Sequence, residues 1–152
     1  MSYERLTEFS CMEKILKENY YCTIALEEKP SPYLFAMNYG YEEKNLYFHS
    51  SPKGKKAGLF RHSRFLSFWI AKDVRLWGNP QNPCAMNMLY ESLTGKAAVD
   101  IIEDNKQKTH ALNLITAQAT GSSGFEFSSE RLDSVLILKA TIIEITGKRS
   151  LN

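Results

Sequence analysis

Leu46-Tyr-Phe-His-Ser-Ser-Pro-Lys-Gly-Lys-Lys-Ala-Gly-Leu59 joins a short apolar strand to a helix whose first turn is cationic and carries glycine. Ser51 stands where a helix cap is expected, and Pro52 fits a first helical turn without losing a hydrogen bond. The free N–H groups of Lys53, Gly54 and Lys55 then point at one spot, where the helix dipole and the lysine ammonium groups both favour an anion. The stretch reads as a phosphate cradle. The plainer alternative is a solvated, lysine-rich helix start.

Upstream, Ser10 and Glu13 have the spacing of a capping box, and Met12, Ile15 and Leu16 supply the apolar stripe of a short helix ending near Asn19. Residues 20–26 alternate in polarity, Lys29-Pro-Ser-Pro32 interrupts them, and residues 33–41 resume an extended run, which predicts a hairpin. Glu42-Glu-Lys-Asn45 is a second polar turn before the strand 46–49, so three strands are expected in meander order. Downstream of the basic helix, which ends near His62, residues 65–71 place Leu66, Phe68 and Ile70 on one strand face. Residues 73–84, with Trp77, Gly78, Pro80 and Pro83, predict an exposed loop. A long alternating strand follows over 85–102, with Gly95 marking a bulge. Residues 103–120 form the best helix pattern, stopped by Gly121; 128–132 allow one helical turn, and 135–145 are a β-branched final strand. About six strands and three or four helices, without βαβ alternation, predict a mainly β fold: an antiparallel barrel flanked by helices, in one domain spanning 1–152.

Nineteen lysines and arginines nearly balance 17 aspartates and glutamates, which gives no reason to expect a nucleic-acid partner. Three cysteines, Cys11, Cys22 and Cys84, lie far apart and have no histidine at ligand spacing, so free thiols and no metal are expected. No stretch approaches the ~20 apolar residues of a membrane span, and the N-terminus lacks an apolar leader core; a cytoplasmic protein without membrane contact is expected.

Four segments then arrive in a familiar order: Met37-Asn-Tyr-Gly-Tyr41, Tyr47-Phe-His-Ser50 with Gly54-Lys-Lys56, Tyr90-Glu-Ser92 with Gly95, and Ile145-Thr-Gly-Lys148. Together they resemble the Nim-type (5-nitroimidazole resistance) branch of the pyridoxamine 5′-phosphate oxidase-like, FMN-binding split-barrel proteins. The resemblance implies a six-stranded split barrel and a homodimer with FMN at the subunit interface. It also implies that Met37, Asn38 and Tyr39 border the flavin ring, largely through backbone groups. His49 and Ser50 would reach the ribityl and phosphate end, Lys53, Gly54, Lys55 and Lys56 would hold the phosphate, and Tyr90, Glu91 and Ser92 would approach from the partner subunit. The strand pattern adds that Ala36, Asn38 and Gly40 share a face without bulk, which either admits a flat ring or packs under a helix. The chain departs from its relatives in having Ala36 where proline is usual, and Gln118-Ala119 where a His-Tyr pair is common.

The function implied is a flavoprotein oxidoreductase that passes electrons from a reduced nicotinamide or a partner reductase, through FMN, to a small acceptor such as a nitroaromatic. His49 is the candidate catalytic residue, as proton donor or as phosphate ligand; His62 and His110 read as surface or capping residues. Trp77 is either a lid over the ring or an anchor of its loop. The competing classes are a non-catalytic FMN- or haem-binding dimer of the same fold and a structural dimer without cofactor.

Overall fold

The computed structural model describes residues 2–151 of the 152-residue chain. Eight strands and four α-helices succeed one another as β1 (Tyr3–Leu6), α1 (Phe9–Glu18), β2 (Tyr21–Leu26), β3 (Tyr33–Asn38), β4 (Gly40–Glu42), β5 (Asn45–Ser50), α2 (Lys55–His62), β6 (Phe65–Trp77), β7 (Asn87–Ile102), α3 (Asn105–Thr120), α4 (Ser129–Asp133) and β8 (Leu136–Ser150). The strands form one antiparallel sheet in the order β3-β2-β6-β7-β8-β5-β4, with β1 added along the second half of β8. The sheet curls into a barrel that does not close, because its terminal strands share no hydrogen-bonded ladder. This is the mainly β, antiparallel split barrel that the sequence predicts, with eight strands in place of about six.

The two extra strands have distinct origins. β1 is too short and too polar to announce itself, and it is strand only because Tyr3–Leu6 pairs with residues 147–150 of β8. The predicted run 33–41 divides at Tyr39, where the chain leaves β3 at one end of the sheet order and enters β4 at the other. The expected meander is therefore broken at that residue. Tyr39 is fully buried, its N–H donates to Tyr20 O at 3.0 Å, and its hydroxyl donates to Leu16 O at 2.7 Å.

The interior is built as the alternation predicts. Leu66, Phe68 and Ile70 of β6 and Leu93 and Ala97 of β7 face Met12, Ile15 and Leu16 of α1 and Ala57 and Phe60 of α2. A smaller apolar layer joins Tyr47, Ile102 and Ile137 on the outside of the barrel to Ala111 and Ile115 of α3. Gly95 is required by close packing: a Cβ there would lie 2.3 Å from the Phe68 ring. The bulge expected at Gly95 sits beside it, between Lys96 and Ala97, where β8 carries one extra residue.

Other boundaries shift for local reasons. Phe9 begins α1 after Glu8, and Ser10 lies inside the helix, so the capping box does not form. Residues 73–77 are not loop but the end of β6, paired with β7 beyond a bulge at Lys72–Arg75 that Asp73 absorbs at φ 53°. Asp104 caps α3 by accepting from Gln107 N at 2.9 Å, and Gly121 ends it in the left-handed region.

Gln118 of α3 fastens this arrangement. Its amide donates to Leu16 O, Lys17 O and Asn19 O at the end of α1, and its carbonyl accepts from Tyr41 N at 3.3 Å. Replacing it by methionine strips several helix-end carbonyls and a strand N–H of their partner, whereas Tyr39→Phe removes one of two donors to Leu16 O. We expect a loss of about 2–3 kcal/mol for Gln118→Met and about 1 kcal/mol for Tyr39→Phe in urea unfolding; equal losses would show that Gln118 does not carry this joint.

Candidate functional site

The seam left by the open barrel lies between β3 and β5. It is spanned by aromatic contacts rather than by a ladder: Phe35 packs edge-on to Phe60 of α2 at 5.8 Å, and Tyr39 to Phe48 of β5 at 6.5 Å. Met37 and Tyr39 point into the core, while Leu34, Ala36 and Asn38 face outward along the edge strand. The face without bulk is thus open at Ala36 and Asn38. Gly40 does not belong to it: a Cβ there would meet the α3 backbone at 2.6 Å, so this glycine lets the helix pack.

On β5 the alternation places Phe48 and Ser50 inside and His49 outside. Ser50 is buried and pairs with Leu136 of β8. His49 is accessible to solvent, yet the surrounding protein desolvates it, and the Lys56 ammonium adds repulsion; both hold its pKa below the usual histidine range.

The basic turn differs in detail from the predicted cradle. Ser51 caps the turn and not the helix, accepting from Lys53 N at 3.2 Å, and α2 starts three residues after Pro52 with Gly54 at φ 92° as its N-cap. The first-turn N–H groups are therefore those of Lys55, Lys56 and Ala57. Lys53 N–H is already used. Arg61 braces the turn from the far end of the helix by donating to Pro52 O at 2.7 Å. Lys55 lies 4.5 Å from the Tyr33 ring centre and pairs with Glu28 at 2.8 Å; Lys56 lies 5.1 Å from the Phe35 ring centre. Three lysines thus belong to one turn at the end of the seam, and the carboxylate that pairs with Lys55 is half-buried on a loop. A Cβ on Gly54 would meet nothing within 4 Å, so there is room at the turn. This donor set fits a phosphate monoester.

Tyr90, Glu91 and Ser92 are not brought to this seam within the chain. They lie on β7, three strand positions from β3 and so about 14 Å away across the sheet. Tyr90 and Ser92 share the outer face, but Glu91 points inward and accepts from Arg149, which also pairs with Glu4. His62 and His110 are used structurally, the first against Gly58 O at its helix end and the second against Glu42 at 2.7 Å. Gln118 of the Gln118-Ala119 pair is committed to the joint described above. Among the described residues, no group of three His, Cys, Asp or Glu could hold a metal, and no helix is long and apolar enough to cross a membrane. The three thiols are free, and burial pushes Cys22 up to about 12. Trp69 and Lys148, not singled out as site residues from the sequence, line a recess on the outer face with Tyr90 and Ser92. The signal available was parity: Trp69 alternates with the buried Phe68 and Ile70.

A sequence model of the pyridoxamine 5′-phosphate oxidase family matches residues 10–149, a span that contains both the seam and the basic turn. The chain belongs to this family. A solved structure of a candidate 5-nitroimidazole antibiotic resistance protein from Bacteroides thetaiotaomicron is similar over 97% of this chain and 89% of its own, at 26% identity and TM-score 0.82. An FAD-binding protein from Mesorhizobium loti shares the fold at TM-score 0.72 and 17% identity, covering 99% of this chain and 100% of its own. An FAD- and haem-binding protein from Mycobacterium smegmatis shares it at TM-score 0.85 and 16% identity, over 97% and 74% of the two chains. A search of curated proteins gave no match.

The environment of His49 has a measurable sign. Its imidazole should titrate below about 6.5 in NMR, and Lys56→Met should raise that pKa only partway, because desolvation is the larger cause. An unfolded histidine binds its proton more readily, so this contribution to stability is complete above the ordinary value. It is lost as pH falls through that value toward the folded pKa. An unshifted His49 would contradict the desolvated setting.

Proposed function

We propose that this protein binds a flavin, FMN, and acts as an oxidoreductase on a small electron-poor acceptor such as a nitroaromatic. The observation that carries the reading is the seam itself: an open strand face at Ala36 and Asn38 runs beside His49 toward three lysines at a glycine-bearing turn. Flavin-binding proteins among the similar structures support it.

In this reading the phosphate is held by Lys53, Lys55, Lys56 and the first-turn N–H groups of α2, with Gly54 keeping the turn clear. Lys55 exchanges Glu28 for the phosphate. One compact cationic turn suits a single phosphate, which favours FMN over a dinucleotide. The ring lies against the backbone of Met37, Asn38 and Tyr39, which the inward side chains of Met37 and Tyr39 fix in place. Bound flavin supplies the redox chemistry, accepting a hydride from a reduced nicotinamide, or electrons from a reductase, and returning two electrons to the acceptor. For a nitro group those two electrons and two protons give a nitroso group and water. His49, neutral near pH 7 because of its depressed pKa, serves better as a hydrogen-bond partner of the ribityl or phosphate oxygens than as an acid.

A second copy of the chain completes the site. Leu34, Phe65, Trp69, Val74, Leu76 and Ile143 are each between 48% and 74% exposed on the barrel's outer surface, and burying such large apolar side chains against a partner is favourable. A homodimer formed through this face also carries Tyr90 and Ser92 toward the partner's seam.

The deciding experiment is an absorption spectrum of the purified protein, with mass analysis of the small molecule released on denaturation. Flavin bands and FMN are expected, and Lys55→Gln with Lys56→Gln should weaken FMN binding at least tenfold, as two charge-assisted contacts of about 1.5–3 kcal/mol imply. A colourless protein that takes up neither added FMN nor added FAD overturns the reading.

A further inference from the structure

The basic end of the seam is crossed by an ion pair. Farther along, aromatic contacts span the opening, but here Lys55 of α2 pairs at 2.8 Å with Glu28, which belongs to the loop 27–32 between β2 and β3. The same ammonium group lies 4.5 Å from the ring centre of Tyr33, the residue that follows that loop. Lys55 is therefore held twice by the hairpin on the opposite side of the seam.

The carboxylate is out of keeping with its surroundings. Residues 44–72 carry seven lysines and arginines and no aspartate or glutamate, so the segment that builds the basic turn contains no acidic group of its own. Glu28 comes from another element, and among the described residues it is the carboxylate within 4 Å of Lys53, Lys55 or Lys56. It is also the half-buried member of a loop whose other five residues are exposed, and Pro30 and Pro32 stiffen that loop by fixing their own φ angles. A site that had only to attract phosphate would gain nothing from such a group; a site that has to choose between phosphates would.

Its place along the seam supplies the choice. β3 runs from Tyr33, beside the basic turn, to Asn38 on the open strand face, so a ligand with its ring at Asn38 and its phosphate at Lys55 points its far end at loop 27–32. A phosphate monoester ends there, and with a charge of about −1.5 to −2 it outcompetes a carboxylate for Lys55. The pyrophosphate of a dinucleotide brings a single charge to each contact and continues past Lys55, which sets its second phosphate against Glu28. Carboxylate and phosphate oxygens both only accept hydrogen bonds, so that contact is repulsive and has no bond to offset it.

We propose that Glu28 is the specificity-determining residue of the cofactor site, admitting a flavin that ends in a phosphate monoester and rejecting one extended by a second phosphate. The inference rests on the flavin reading and adds to the compact turn a residue that excludes FAD. Dialysis of the full chain against an equimolar mixture of FMN and FAD tests it, with the bound flavins released by denaturation and separated by chromatography. Titration with each flavin alone gives the two affinities.

Wild type should hold FMN in excess. Glu28→Gln should bind FMN equally or up to about fivefold tighter, because Lys55 is freed from a partly exposed pair, and should cut the preference for FMN over FAD about tenfold. Glu28→Ala should do the same, which separates the loss of charge from the hydrogen bonds of a glutamine amide. Glu27→Gln, which alters the exposed neighbour, should change neither. An unchanged preference in both Glu28→Gln and Glu28→Ala, or a wild type that favours FAD, overturns the proposal and leaves flavin binding in place. Weaker FMN binding in Glu28→Gln overturns it too, and assigns Glu28 to presenting Lys55 to the phosphate. A wild type that takes up neither flavin overturns the flavin reading and this inference together.

Discussion

Everything in this barrel hangs on the place where it fails to close. Tyr39 takes the chain from one end of the sheet order to the other, and a residue making that crossing inside the protein must satisfy its polar groups without a neighbouring strand on both sides. Its N–H is given to Tyr20 and its hydroxyl to Leu16, and Gln118 reaches the same Leu16 carbonyl from α3. The C-terminal end of α1, the edge of the sheet and the long helix are thereby fixed to one another at a single point. The seam keeps its width because aromatic contacts, not backbone bonds, span it.

The regular parts of the fold were legible because burial follows parity. The stripes Met12, Ile15, Leu16 and Leu66, Phe68, Ile70 are buried as their spacing predicts. What escaped the sequence depends on partners distant along the chain. Tyr3–Leu6 is a strand only because β8 continues past Ile145, and residues 73–77 are strand only because β7 supplies the opposite ladder. The break at Tyr39 is marked only by Asn38 and Gly40 on either side of it, which within an otherwise apolar run over 33–41 read as positions on a small strand face and not as the end of a strand. The helix caps failed for a similar reason: Ser10 and Ser51 have the right spacing, but the helix starts are set by packing of Met12 and Phe60 and not by the serine.

The candidate site was legible in part. The lysines, the glycine and His49 do converge at one end of the seam, and Ala36 and Asn38 do present an open strand. Gly40, Ser50 and Glu91 show the limit of reading motifs as contiguous strings. In a strand, neighbours in sequence point to opposite faces, so a three-residue motif divides between the two sides of the sheet. Glu91 is tied inward to Arg149 while Tyr90 and Ser92 look outward, and Ser50 is buried while His49 is open.

The position of the lysines has a consequence for solubility. β3 is an edge strand with an unpaired backbone, an exposed Leu34 and no proline, lysine or bulge of its own, the composition that invites another chain to add on. Lys55 and Lys56 reach back from α2 to stand over the Tyr33 and Phe35 rings of that strand. They bring charge to an edge that carries none, and a second strand docking there would have to desolvate both ammonium groups. The same two side chains thus act as gatekeepers against edge-to-edge aggregation, so evolution cannot retune the basic turn without also exposing the most vulnerable strand of the barrel.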